Sequence, residues 1–287
     1  MEGIIIAATP NKYVVYSKGI TYNVFPKGIL RYKSKNLYVG DKVIFNDESF
    51  TIDATLPRSN ELIRPRSANI DQVFIIMSMK EPDFSSELLY KYLTYINMNG
   101  LCPKVVLTKI DLLDSLDEPN LIKEELDKLG IDVFLISPKE EEAIKELKKE
   151  FKGKTTILMG QTGVGKSSLI NEIDPSFARK VGEYSNVLGR GKHQTKEVLL
   201  LPYEGGFIGD TPGFSSLDLG IFKEDLAQFF PGYNKYYTEC FFSNCLHQNE
   251  KNCKIKERIE SGELSSLGYK IYLKLLEELP YKKERYK

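Results

Sequence analysis

The octapeptide Gly-Gln-Thr-Gly-Val-Gly-Lys-Ser at residues 160–167 restricts the possible folds of this chain more than any other feature. It fits the pattern G-x-x-x-x-G-K-[S/T] of a phosphate-binding loop, in which backbone amides turn inward around a phosphate. An apolar run at residues 154–159 precedes this phosphate loop, and a helical pattern begins at Ser168. A chance glycine-rich turn is the alternative, but the strand–loop–helix order predicts an α/β domain that binds a nucleoside triphosphate.

The residue types of the phosphate loop suggest individual roles. Lys166 is placed to neutralise the β- and γ-phosphates, and the Ser167 hydroxyl to bind Mg²⁺. Glycines allow the backbone to wrap closely around the phosphate. The nucleotide-binding residues predicted in and beside the loop are Gly160, Gln161, Thr162, Gly163, Val164, Gly165, Lys166, Ser167 and Ser168.

The length of 287 residues predicts more than one domain. Residues 1–64 are rich in short β patterns, at 4–6, 13–16, 20–24, 37–39 and 42–45, and predict a closed barrel of the OB-fold type. Residues 65–219 alternate strand and helix patterns, which predicts a parallel sheet covered on both faces. Residues 220–287 form the third predicted unit, which is helical.

Charge and hydropathy narrow the class of protein. Forty basic and forty acidic residues cancel, so any affinity for nucleic acid has to come from local patches. Arg31, Lys33 and Lys35 alternate with Tyr32 and form one candidate patch; a solvated strand edge is an equally good interpretation. The absence of a long apolar run and of a basic, signal-like start predicts a cytosolic protein with no membrane segment.

A second motif suggests which base is bound. Thr108, Lys109 and Asp111 follow a predicted strand, and the Asp111 carboxylate can accept the N1–H and N2–H₂ donors of guanine, which adenine lacks. Lys109 would lie along the base. Such a motif usually has Asn at the position of Thr108, so one contact is expected to differ. Ser137, after the next strand, is the candidate partner for guanine O6, although Pro138 has no N–H to donate.

Further residues are expected around the γ-phosphate. Asp210 ends a predicted strand and would hold Mg²⁺ through water, and the amide of Gly213 would meet the γ-phosphate. Thr195 lies in a glycine-rich stretch, residues 182–196, predicted as a mobile loop, and its hydroxyl is the second candidate Mg²⁺ ligand besides Ser167; an ordinary loop threonine is the alternative.

Two residues bear on how the attacking water is oriented. Phe214 occupies the position where many switch GTPases have a water-orienting glutamine, so slow intrinsic hydrolysis is expected. His193 is a candidate for positioning the water, with an inert loop histidine as the alternative.

The order of the motifs is itself informative. In most such GTPases the phosphate loop precedes the guanine motif, whereas here residues 108–111 and Ser137 come before residues 160–167. The pattern therefore predicts a circularly permuted P-loop GTPase domain, in which the same site forms because chain ends lie close together in a compact fold.

A separate cluster lies near the C-terminus. Three thiols and one imidazole fall within fourteen residues, which is a complete ligand set for one structural, tetrahedral zinc ion. Unmetallated, reduced cysteines are the alternative. The predicted zinc ligands are Cys240, Cys245, His247 and Cys253.

Taken together, the chain resembles the RsgA (YjeQ/YloQ) family of bacterial circularly permuted GTPases. The resemblance rests on the permuted order, the barrel, the cysteine–histidine spacing and motifs at residues 58–65, 69–72, 160–168, 189–193 and 210–214. It implies hydrolysis of GTP to GDP and phosphate with Mg²⁺, stimulated by the small ribosomal subunit, and binding of rRNA by the barrel and the zinc region. The expected catalytic residues are Lys166, Thr195 and His193, and the expected state is a monomer.

Two other classes remain open from the residues alone. A P-loop ATPase or nucleotide kinase would lack selection of guanine by Asp111. A nucleotide-dependent RNA-binding module would show little hydrolysis of its own.

Overall fold

The computed structural model describes residues 1–9, 12–28, 37–137, 141–187, 198–211 and 217–282, with the backbone alone for 183–187. Five strands close the N-terminal barrel in the order β1-β2-β3-β5-β4. They are β1 (Glu2–Ala8), β2 (Tyr13–Ser17), β3 (Ile20–Pro26), β4 (Lys42–Asn46) and β5 (Thr51–Thr55). The predicted barrel is confirmed, but its fifth strand is β5 and not residues 37–39, where Val39 forms only an isolated bridge with Ser67.

A six-stranded sheet follows, in the order β10-β9-β8-β11-β13-β12. Its strands are β8 (Gln72–Ser78), β9 (Cys102–Thr108), β10 (Val133–Ile136), β11 (Thr155–Met159), β12 (Leu199–Tyr203) and β13 (Gly206–Asp210). The first five in the spatial order are parallel, and β12 is antiparallel to β13. Every side chain of β8 is buried, which confirms that the sheet is covered on both faces, because successive side chains point to opposite faces.

Helices alternate with these strands as the sequence predicts. They are α1 (Ser86–Met98), α2 (Asp117–Lys128), α3 (Glu141–Phe151), α4 (Lys166–Ile173) and α5 (Phe177–Val187). Helix α1 has the predicted bounds, and the Ser85 hydroxyl caps it by accepting from the Leu88 amide. Helix α5 extends into the stretch predicted as a mobile loop from residue 182, so that prediction is wrong as far as Val187; residues 188–197 lie outside the described part.

The segment that joins barrel and sheet is also folded. Residues 56–65 have little periodicity, yet they contribute to a two-stranded hairpin, β6 (Glu61–Leu62) and β7 (Ser67–Ala68). The Arg58 guanidinium donates to both carboxylate oxygens of the buried Asp41, at 2.7 and 2.8 Å. This ion pair therefore holds the connecting segment against the barrel.

The C-terminal region packs on α1. It contains α6 (Leu226–Phe229), α7 (Lys254–Glu260) and α8 (Ser266–Glu278), together with short 3₁₀ turns. Gly268 of α8 lies against Tyr90 of α1, and the ring of Tyr90 stacks on Phe230 at 5.3 Å between centroids. Within the described ranges, no helix combines the length and the hydrophobicity needed to cross a membrane.

Candidate nucleotide-binding site and candidate metal centre

The carboxyl ends of the parallel strands meet at one edge of the sheet, where open α/β sheets bind ligands. Strand β9 ends at Thr108, which pairs with Ser78 of β8 on one side and with Ile136 of β10 on the other. Strand β11 leads into the phosphate loop, and β13 ends beside it at Asp210. The topology thus brings the predicted base motif, the phosphate loop and Asp210, the predicted magnesium-binding carboxylate, to the same edge.

The phosphate loop approaches the sheet closely. A Cβ atom on Gly160 would lie 2.3 Å from the carbonyl oxygen of Ile76 in β8, so only glycine fits there. Gly163 and Gly165 have φ of +85° and +95°, in the left-handed region, which sets the turn into α4. The buried positions of the loop are Gly160, Val164 and Lys166. The predicted ligand contacts Thr162, Gly163, Ser167 and Ser168 are exposed, and Gln161 and Gly165 are partly exposed.

The ammonium group of Lys166 lies inside the loop. Its Nζ atom donates to the carbonyl oxygens of Gly160 at 2.9 Å and Gln161 at 2.7 Å. Burial lowers the pKa of Lys166, and the nearby Asp210 carboxylate partly offsets that effect. Burial raises the pKa of Asp210, opposed by Lys166 and by the backbone N–H of Thr211. An anion at the loop would favour charged Lys166, and a cation would favour ionised Asp210, so the pair suits a metal-bound phosphate.

Thr108 connects the base motif to the phosphate loop. Its hydroxyl donates to the carbonyl oxygen of Val164 at 2.6 Å, with the carbonyl oxygen of Met77 at 3.3 Å as a weaker second acceptor. Thr108 and Val164 are 56 residues apart in the chain. The hydroxyl therefore bonds the loop backbone, and the motif residue that differs from the usual Asn has a role in joining two parts of the site.

The turn after β9 carries the other base-motif residues. Lys109 has a φ of +57°, and its Nζ atom donates to the carbonyl oxygen of Glu81. Asp111 lies in the short 3₁₀ helix Ile110–Leu112 and is exposed, available to a ligand. Ser137 is buried directly after β10.

Sequence reasoning missed the loop between β8 and α1. A Cβ atom on Gly163 would lie 3.7 Å from Cδ of Pro82, so this loop borders the phosphate loop. Lys80 donates to the Leu112 carbonyl oxygen at 3.3 Å, which ties the same loop to the turn that holds Asp111. The loop between β8 and α1 follows a central parallel strand, and that position is the signal that would have identified it as part of the site. Thr211 was also missed; its hydroxyl donates to the Leu158 carbonyl oxygen at 2.6 Å.

Several predicted residues lie outside the described part of the chain. They are Gly213, Thr195 and His193 of the γ-phosphate region, Phe214 and Pro138, and the basic cluster Arg31, Tyr32, Lys33 and Lys35.

The four predicted zinc ligands come together in the C-terminal region. The ligand atoms of Cys240, Cys245, His247 and Cys253 all lie within 4.8 Å of one another. His247 Nδ1 is 3.5 Å from the Cys240 sulfur and 3.3 Å from the Cys253 sulfur. Three sulfurs and one nitrogen at this spacing fit a tetrahedral zinc ion, with Zn–S distances of about 2.3 Å.

The surroundings of the cluster favour a metal. Burial lowers the pKa of His247 to about 4, so its imidazole is neutral and able to coordinate at neutral pH. Burial raises the pKa of Cys245 to about 12, with the neighbouring thiols adding to the shift, and a divalent cation would reverse this. The Tyr269 hydroxyl donates to the His247 carbonyl oxygen at 2.8 Å, and Glu250 accepts from the Leu246 and Gln248 amides at 2.8 Å each. These bonds fix the loop that carries His247.

Comparison with known proteins gives consistent results. A family model described as RsgA GTPase matches residues 55–220. The chain is 41% identical to the small ribosomal subunit biogenesis GTPase RsgA of Streptococcus pyogenes serotype M3, over 100% of this chain and 98% of that protein. It is 40% identical to the small ribosomal subunit biogenesis GTPase RsgA 2 of Oceanobacillus iheyensis, over 99% of each.

Solved structures show the same likeness. YloQ, described as a circularly permuted GTPase, superposes with a TM-score of 0.80 at 34% identity, covering 99% of this chain and 96% of that one. YjeQ from Thermotoga maritima superposes with a TM-score of 0.80 at 32% identity, covering 97% and 98%.

Proposed function

The chain belongs to the RsgA GTPase family and is therefore a GTP hydrolase, and we propose that it acts in biogenesis of the small ribosomal subunit, late in its maturation. The circularly permuted GTPase fold that the sequence predicts is confirmed. The observation that carries the site assignment is the hydrogen bond from Thr108 to Val164, because it joins the base motif and the phosphate loop although the chain encodes them in the reverse of the usual order.

Different described residues would contact the phosphates and the base of GTP. The exposed amides of the phosphate loop and the N-terminus of α4 would receive the β- and γ-phosphates, with Lys166 neutralising them. Asp111 would accept the guanine N1–H and N2–H₂ groups, and Lys109 would border the base. Ser137 would stand near guanine O6.

A magnesium ion, when bound, would neutralise charge that develops on the phosphates. Ser167, exposed in the first turn of α4, and the buried Asp210 are the described residues whose chemistry fits it. Thr195 as a further ligand, Gly213 as an amide donor to the γ-phosphate and His193 as the group that positions water stay predictions, since all three lie outside the described residues.

Rapid GTP hydrolysis by this chain is proposed to require binding to the small ribosomal subunit. Phe214 cannot orient water, so the group that completes catalysis would be ordered or supplied on the small subunit, an effect worth about 10³ to 10⁵ in rate. The barrel and the C-terminal zinc region would contact rRNA. We further propose that the protein works in the cytoplasm as a monomer with units at 1–64, 65–219 and 220–287.

The test is GTP turnover by the full chain with and without purified small subunits. The proposal predicts slow release of phosphate alone and a large stimulation by subunits, with no turnover of ATP. Lys166→Ala should abolish both rates, which controls for a contaminating hydrolase. Unstimulated turnover in the presence of bound subunits would contradict the proposal and favour an RNA-binding module with little hydrolysis of its own.

A further inference from the structure

The segment between barrel and sheet contains a motif, residues 58–65, that the nucleotide site does not use. Most of its residues have structural partners. Arg58 pairs with Asp41 and also donates to Glu61 at 2.5 Å, while its guanidinium lies 4.1 Å from the centre of the Tyr38 ring. Asn60 exchanges two hydrogen bonds with Ile70, at 2.7 and 2.9 Å. These contacts hold the start of the β6–β7 hairpin.

The second strand of the hairpin, β7, and the residue after it are also held by hydrogen bonds. The Ala68 amide donates to the Val39 carbonyl oxygen at 2.8 Å, and the Asn69 side-chain amide donates to the Gly40 carbonyl oxygen at 2.9 Å. Leu62 is completely buried. The hairpin is therefore fixed to the barrel on both of its strands.

The tip of this hairpin, residues 63–66, differs from its strands because it carries exposed side chains. Ile63 is 68% exposed, and Arg64 and Arg66 are both exposed on either side of the buried Pro65. The Arg64 backbone amide donates to the hydroxyl of Tyr95 in α1 at 3.1 Å, so the tip is also anchored to the sheet domain. The apolar and basic side chains thus project from a backbone that is held in place.

The guanidinium groups of Arg64 and Arg66 form no hydrogen bond with the part of the chain that the structure describes. Arg58 and Arg258 are each paired with carboxylates. By contrast, within the described ranges neither Arg64 nor Arg66 has a side-chain hydrogen bond or an ion pair. In a chain whose formal net charge is zero, this is a local positive patch that pairs with no carboxylate of the described ranges.

We propose that the hairpin tip, residues 63–66, binds the phosphodiester backbone of RNA in the small subunit, an inference that rests on the proposed function. The planar guanidinium fork donates two parallel hydrogen bonds to a phosphate. A convex tip with an exposed Ile63 fits the wide, shallow minor groove of an A-form helix, where it meets riboses and phosphates, better than it could enclose an acidic peptide. Because the backbone is already fixed, little conformational entropy is lost on binding.

The experiment measures affinity of the full chain for purified small subunits as a function of KCl concentration. The variant is Arg64→Gln/Arg66→Gln, and the matched control is Lys149→Gln in α3, outside the barrel and the zinc region, which removes an exposed cation that already has a partner in Glu146. Each lost phosphate contact lowers the slope of log affinity against log salt by about 0.7 to 1, so the double variant should lose about 1.4 to 2. Its affinity should fall by about tenfold or more, and the control should match wild type.

A second variant and a second target make the result decisive. Arg64→Lys/Arg66→Lys keeps both charges and should retain the wild-type slope with weaker binding, which a misfolded hairpin would not do. The double glutamine variant should also bind deproteinised rRNA of the small subunit more weakly. If it weakens binding only to intact subunits, the tip contacts a protein and the proposal is wrong.

The remaining outcomes separate this inference from the proposed function. If wild type binds subunits and the double variant matches it in affinity and slope, the tip is not an RNA contact, although the proposed function stands. If wild type itself does not bind subunits, the proposed function fails and this inference fails with it.

Discussion

The buried hydroxyl of Thr108 offers the sharpest test of how the site is assembled. Thr108→Val removes the donor to the Val164 carbonyl oxygen, 2.6 Å away, and nearly preserves the side-chain shape. An unpaired buried carbonyl costs about 1–3 kcal/mol. Without nucleotide the loop would be able to shift and hydrate that carbonyl, whereas contacts with bound phosphates would hold the loop in place. The cost should therefore appear mainly in nucleotide binding.

The expected result is a loss of GDP affinity of about tenfold, since 1.4 kcal/mol corresponds to a factor of ten. Calorimetric titration of the purified chain measures it. Thr108→Ser retains the hydroxyl and should bind GDP nearly as wild type does. Thr94→Val is the matched control, because the buried Thr94 hydroxyl donates to the Tyr90 carbonyl oxygen at 2.7 Å within α1, which carries none of the predicted site residues. It should affect unfolding and leave GDP affinity unchanged. Equal GDP affinity of the valine and serine variants at position 108 would refute the reasoning.

Three further changes have outcomes that the structure specifies. Arg58→Gln leaves the buried Asp41 carboxylate without its cation and should lower the free energy of unfolding by about 3 kcal/mol, measured by urea denaturation. A loss below about 1 kcal/mol would mean that this ion pair does not stabilise the fold. Gly160→Ala places a Cβ atom 2.3 Å from the Ile76 carbonyl oxygen and should abolish GDP binding, measured by calorimetric titration; an alanine variant that binds GDP normally would contradict the requirement for glycine at this position. Cys245→Ser should reduce bound zinc, measured by elemental analysis, from one ion per chain and lower the thermal unfolding midpoint; a wild-type chain that holds no zinc and is insensitive to chelator would exclude the metal centre.

Features coded by local sequence could be predicted well. Residues 160–167 specify a phosphate loop because the glycines, lysine and serine act within one turn of backbone. The bounds of α1 could be predicted because Ser85 is a strong cap and Gly100 ends the helical pattern. Three cysteines and a histidine within fourteen residues could meet without help from the rest of the fold.

Features that depend on distant partners could not be predicted in this way. Strand β5 has the sequence Thr-Ile-Asp-Ala-Thr, with only Ile52 fully buried, and it forms because β3 and β4 pair with it. Residues 37–39 have a more strand-like composition but no strand partner in the barrel. Thr108 likewise acquires its role from a loop carbonyl far along the chain, which no local pattern encodes.

The central claim is that Asp111, encoded ahead of the phosphate loop, selects guanine for the nucleotide bound there. The most direct measurement is the affinity of wild type and Asp111→Asn for GDP, ADP and XDP. Two hydrogen bonds to a carboxylate are worth about 3–6 kcal/mol, so wild type should prefer GDP to ADP by at least about a hundredfold. The asparagine amide can donate to the xanthine C2 carbonyl, so the variant should lose GDP and gain XDP affinity. Equal binding of ADP and GDP by wild type, or unchanged GDP affinity in the variant, would contradict the account.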